Sequence, residues 1–142
     1  NVKTEWDASP EAIAENAEWF FPFLERFVCS VNSRVGNYLI EGVDFLPAQV
    51  ARLEAELQIR SVFLGCSKMT LDRLDQFPGY SQGYSSLPED VRKKIVHDIP
   101  FWSEFVRQRA NEYGHVFFDM IGDIASQLRK AEALLEFGGE LE

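Results

Sequence analysis

No apolar run in this sequence approaches the roughly 20 residues a helix needs to cross a bilayer, and the start at Asn1 has neither the basic residues nor the apolar stretch of a secretion signal. A cytoplasmic protein with no membrane partner is expected. Cysteine is scarce. Cys29 and Cys66 lie far apart with no CxxC pair, and His97 and His115 lack metal-ligand spacing, so neither a disulfide framework nor a zinc site is indicated. Positive charge is also in deficit: 14 Lys and Arg against 23 Asp and Glu give a net charge of -9. That balance argues against a nucleic acid as partner, because phosphate backbones need a net basic face. It leaves room for a small phosphorylated ligand, which a few local cations or backbone N–H groups can hold. Several catalytic signatures are missing as well: GxxxxGK[ST], GxGxxG after a strand, GxSxG, HExxH and DxDxT. The fragment Gly65-Cys66-Ser67-Lys68-Met69-Thr70 follows an apolar run but lacks the second glycine and the adjacent Lys-Ser/Thr order of a phosphate loop. At that position Cys66 reads as a small buried thiol. Internal repeats and low-complexity segments are absent.

What the sequence does contain is enough for one packed domain over residues 1–142, with 46% hydrophobic, 13% aromatic and 26% charged residues. Ser9 and Pro10 mark a helix start, and Ile13, Ala17, Phe20, Phe21, Leu24, Phe27, Val28 and Val31 recur at three- and four-residue steps toward Ser33. Pro22 is expected to kink or split this helix, and the Trp19–Phe23 cluster is expected to pack into the core. Asn37–Glu41 reads as a buried strand, Pro47 as the opening of a helix over Ala48–Leu57, and Ile59–Leu64 as a second buried strand. Strand, helix and strand would make a right-handed βαβ unit.

Thr70 then caps a short helix through Leu74, and Phe77–Ser86 is a turn-rich segment expected to be mobile. Pro88-Glu89-Asp90 starts a helix that runs to Tyr113, interrupted at Pro100 and stopped by Gly114. His115–Asp119 is a third apolar strand, Ile124–Phe137 an amphipathic helix, and Gly138–Glu142 a frayed tail. The fold class is therefore α/β and helix-rich, with a mostly parallel sheet of about three strands and a lid-like helical insert over about 68–113.

Two patterns could carry chemistry. The first is positional: two of the expected strands end in a carboxylate, at Glu41 and Asp119, with Asp44 nearby. Ligands of open parallel sheets bind beyond the carboxyl ends of the strands, where an acid can order the waters of Mg²⁺ or take a proton from an attacking hydroxyl. The plainer alternative is that these acids cap strand ends by accepting backbone N–H bonds. The second pattern is cationic, with Arg92, Lys93, Lys94, Arg107 and Arg109 on one helical region after a Gly- and Tyr-containing segment. That arrangement suits a lid over phosphate groups, or else a solvated helix face laced with ion pairs.

Asn37-Tyr38-Leu39-Ile40-Glu41-Gly42-Val43-Asp44-Phe45-Leu46-Pro47 resembles the "IEGV…LP" segment of small-molecule kinases of the P-loop superfamily, the group of 2-phosphoglycerate-kinase-like and adenylate-kinase-like proteins. Val62–Gly65, a helical insert and Val116–Asp119 follow in that family's order, so the resemblance spans roughly residues 9–137. It implies a three-layer P-loop-kinase-like fold and a Mg²⁺- and ATP-dependent phosphotransferase acting on a small-molecule phosphoryl acceptor. Glu41 would be the acid near Mg²⁺, acting through water, with Asp44 sharing its catalytic role. Arg92, Lys93, Arg107 and Arg109 would be the lid cations on the nucleotide. The family's first strand, Walker A loop and following helix should precede residue 9, so the N-terminal βα unit is missing and the chain reads as the later part of a kinase. Two other readings stand beside it: a non-catalytic, kinase-derived binding or oligomerisation module, and an unrelated α/β protein whose aromatic first helix docks a partner. A sheet short of neighbouring strands also predicts a homodimer through an exposed edge.

Overall fold

The computed structural model of the protein describes residues 9–33, 36–76 and 87–136. The expected mobile turn segment lies wholly outside the described residues, as do Phe137 and the expected frayed tail. The chain is α/β and helix-rich, in the order α1 (Pro10–Asn32), α2 (Pro47–Glu54), β1 (Val62–Gly65), α3 (Leu71–Gln76), α4 (Glu89–Glu112), β2 (Val116–Asp119) and α5 (Ile124–Leu135).

Local chemistry sets the helix ends. Ser9 Oγ accepts from the Ala12 N–H at 3.2 Å and Pro10 occupies the first turn, where its missing N–H costs nothing. Thr70 Oγ1 caps α3 by accepting from Arg73 N–H at 3.2 Å, and Asp123 caps α5 by accepting from Ser126 N–H at 3.2 Å. At the end of α4, Gly114 takes φ +75°, while its N–H reaches the Asn111 carbonyl and the His115 N–H reaches the Ala110 carbonyl. This pair of bonds needs a left-handed residue at that point, which glycine supplies without steric cost.

The expected split at Pro22 does not occur: α1 runs through it, and α4 likewise runs through Pro100. Pro22 lies on the exposed side of α1, where water can satisfy the Glu18 carbonyl that loses its helical donor.

The sheet has two strands. β1 and β2 pair in parallel, with Val62 opposite Val116 and Gly65 opposite Asp119, and the helical insert α3–α4 connects them. The expected strand at 37–41 is not formed, so no βαβ unit is built around α2. Tyr38 is 52% and Leu39 82% exposed, and only Ile40 of this segment packs inward, against Phe21, Leu24, Val28 and Leu53. The segment instead ends in a turn at Val43–Asp44 that feeds α2, with the Phe45 ring laid so close over Gly42 that a Cβ there would stand 2.6 Å from it.

Two apolar clusters share Phe45 as a bridge. One joins α1 to α2 through Phe21, Leu24, Val28 and Leu53; the other joins α2, β1 and α4 through Val50, Phe63, Val106 and Ala110. The buried stripe of α1 is thus Ala17, Phe21, Leu24 and Val28. The expectation that the whole aromatic cluster is core is corrected: Trp19 is 72% exposed, Phe23 54% and Phe27 53%. A helix can bury only one stripe against a single neighbouring layer, and these three rings lie on the other side. No helix among the described residues is long and apolar enough to cross a membrane.

Candidate functional site

The carboxyl ends of β1 and β2 converge where Met120 N–H donates to the Gly65 carbonyl at 2.7 Å. The chain beyond β1 is then tied down from two sides. Ser103 Oγ of α4 accepts from Cys66 N–H at 2.7 Å while donating to the Ile99 carbonyl at 2.7 Å, and Asp119 Oδ1 accepts from Ser67 N–H at 3.1 Å. Cys66 is buried, and its Sγ lies 3.1 Å from the Lys68 carbonyl oxygen. One cation flanks this edge, Arg73, whose Nη2 donates to the Met120 carbonyl. The Arg107 guanidinium on α4 is held above its ordinary value chiefly by its hydrogen bonds to Glu104, with a smaller long-range contribution from the Asp119 carboxylate. The edge therefore combines one carboxylate, a polar loop and one guanidinium group, a set able to meet a small anion or the hydrated cation of a metal–phosphate pair.

The other site residues expected from sequence are placed differently. Glu41 is exposed and Asp44 half-buried in the irregular segment before α2, and neither makes a hydrogen bond or ion pair among the described residues. On α4, Lys93 pairs with Glu89 at 2.6 Å, Lys94 with Asp98 at 2.7 Å, Arg107 with Glu104 at 2.6 Å and Arg109 with Glu112 at 2.7 Å. Arg92 reaches across to Asp75 of α3. Among the described residues, no group of three or more His, Cys, Asp or Glu side chains could hold a metal ion.

A second polar cluster, not foreseen from sequence, fastens the opposite end of the strands. Ser61 Oγ donates to Glu54 Oε1 at 2.6 Å, His115 Nδ1 lies 3.3 Å from Ser61 Oγ and 3.5 Å from Glu54 Oε2, and His115 Nε2 faces the Pro47 carbonyl at 3.1 Å. Serine, histidine and glutamate are the residue types of a hydrolytic triad, but the wiring is different. The serine donates to the carboxylate rather than to the imidazole, and His115 Nε2 faces a backbone carbonyl instead of a carboxylate. The cluster ties α2 to the starts of both strands. The signal that could have found it was the pairing of His115 with Ser61 just before two apolar runs.

No protein-family model, no curated protein and no solved structure matches this chain.

Proposed function

We propose that the protein works on a phosphorylated small molecule at the carboxyl edge of β1 and β2, as the phosphoryl-transfer part of a small-molecule kinase of three-layer, P-loop-like descent. The observation that carries this reading is the parallel pairing of Gly65 with Asp119 across the α3–α4 insert, which puts a carboxylate at a strand end, next to the Met120 carbonyl that Arg73 reaches. In this reading Asp119 is the group that fits Mg²⁺ through its waters, since one or two carboxylates with substrate phosphates are the usual Mg²⁺ set. Bound Mg²⁺ and ATP would supply charge neutralisation and the transferable phosphoryl group. Glu41, the expected acid near Mg²⁺ through water, and Asp44 stay the proposed catalytic acids, and Arg92, Lys93, Arg107 and Arg109 the proposed lid cations. Titration calorimetry with Mg²⁺ and ATP tests this, with binding expected for the chain and lost in Asp119→Ala; no heat in any titration removes the proposal.

A second reading is favoured by the exposed rings of Trp19, Phe23 and Phe27 on α1, which suit a non-catalytic binding module. The two-stranded sheet also leaves each strand one unpaired side among the described residues, which supports a homodimer through an edge. Light scattering at high concentration checks it, and a clean monomer sinks it.

A further inference from the structure

The aromatic side of α1 is built at helical spacing. Trp19, Phe23 and Phe27 stand at steps of four, and Phe20, 36% exposed, joins Phe23 at a step of three. Three of the rings form one cluster, with Trp19 and Phe23 centroids 5.6 Å apart and Phe20 and Phe23 centroids 6.4 Å apart, and Phe27 stands one turn further along the same side. Together the four side chains expose roughly 400 Å², on the basis of about 200 Å² for an aromatic side chain. An exposed apolar patch of that size is often functional.

Charge says what covers it. Glu11, Glu15, Glu18 and Glu25 are all exposed and fall at i, i+4, i+7 and i+14 along one flank of the rings, where four acids outnumber the single exposed Arg26. Only Glu18 is engaged, by Gln49 Nε2 at 3.2 Å and Arg52 at 3.8 Å; Glu11, Glu15 and Glu25 make no ion pair among the described residues. A second copy of this chain would bring like acidic flanks into one interface, on protomers that each carry a net charge of -9. A cationic partner gains both from that acidic flank and from the exposed ring faces, which attract ammonium and guanidinium groups.

We propose that this face of α1 docks a basic amphipathic helix of another protein, its apolar residues at three- and four-residue spacing on the rings and its Lys or Arg side chains along the glutamate flank. The proposal rests on the binding-module reading and is independent of the Asp119 edge.

The test is calorimetric titration with a synthetic 15-residue helix of leucine and lysine in an amphipathic repeat, beside its leucine–glutamate counterpart. The chain is expected to bind the lysine helix with a Kd of about 10–100 µM, in the range of weak transient complexes. Binding should weaken at least about tenfold in Trp19→Ser/Phe23→Ser and several-fold in Glu15→Gln/Glu25→Gln, with a lower affinity at higher salt. Both variants change exposed residues, so their thermal unfolding should match that of the unaltered chain. Equal binding of the glutamate helix, or undiminished binding of the lysine helix by Trp19→Ser/Phe23→Ser, overturns the proposal. So does a dimer in sedimentation that this variant dissolves, which would give the face to a second copy and leave the binding-module reading standing. ATP titrations of the same variants read the Asp119 edge separately.

Discussion

Asp119, the last residue of β2, accepts the backbone N–H of Ser67 at 3.1 Å, so the carboxylate of one strand holds the loop that leaves the other. A charged acceptor on a backbone donor is among the stronger hydrogen bonds a protein makes. Asp119→Ala is expected to cost about 1–2 kcal/mol in urea unfolding, by loss of that bond. Asp119→Asn, which keeps an acceptor oxygen, should cost less. If both cost nothing, the loop is held by Ser103 alone.

Gly65 faces Asp119 across the sheet, and a Cβ on it would stand 2.5 Å from the Phe117 ring tip and 2.9 Å from Ser103 Cβ. Gly65→Ala should therefore destabilise the protein by about 1–3 kcal/mol through overpacking. Pairing it with Phe117→Leu should recover part of the loss, which equilibrium unfolding of the two variants would show.

Phe21 and Phe27 are both helix phenylalanines on α1, yet one is 3% and the other 53% exposed. Phe21→Ala should cost about 3–5 kcal/mol. Phe27→Ala should fall within about 0.5 kcal/mol of the unaltered chain. Similar losses for the two would place the helix face wrongly.

Asp98 on α4 feels burial, which raises its carboxyl, but hydrogen bonds from Lys94 and His97 outweigh it and leave the group below the ordinary aspartate value. A carboxylate lowered in the folded state contributes stability above its unfolded pKa, and that contribution fades as pH falls through the folded value. The unfolding difference between the unaltered chain and Asp98→Asn should thus be present at pH 6, on the order of 0.5 kcal/mol for a helical pair, and shrink below about pH 4. A difference that grows on acidification would contradict the sign.

The helices were legible because their signals are local. Ser9 with Pro10, Pro47, Thr70 and Gly114 each act on neighbours within four residues, and the structure uses all of them. Strands are another matter. Asn37–Glu41 and Val62–Gly65 are both short and largely apolar, and what separates them is a partner: β1 finds Val116–Asp119, while the earlier segment finds none among the described residues. The α1 face was misread for a related reason. Ala17-Phe21-Leu24-Val28 and Trp19-Phe23-Phe27 both satisfy helical spacing, and only the position of α2 decides which of them is covered. At the strand ends, Asp119 could be singled out as an acid after an apolar run. Arg73 and Ser103 could not, since their roles arise from contacts to Met120 and Cys66, residues distant along the chain.

The pairing of β1 with β2 also bears on how the chain reaches its fold. Val62 meets Val116 only after the whole α3–α4 insert has been looped back, and Ser61 and His115 beside them are 54 residues apart in sequence. Closing so long a loop carries an entropy cost before any strand bond forms. Helices α1 and α4 rest on local backbone bonds and carry no such closure cost. A proteolytic nick inside the insert would remove the covalent tie that brings the two strands together, leaving their pairing to packing alone.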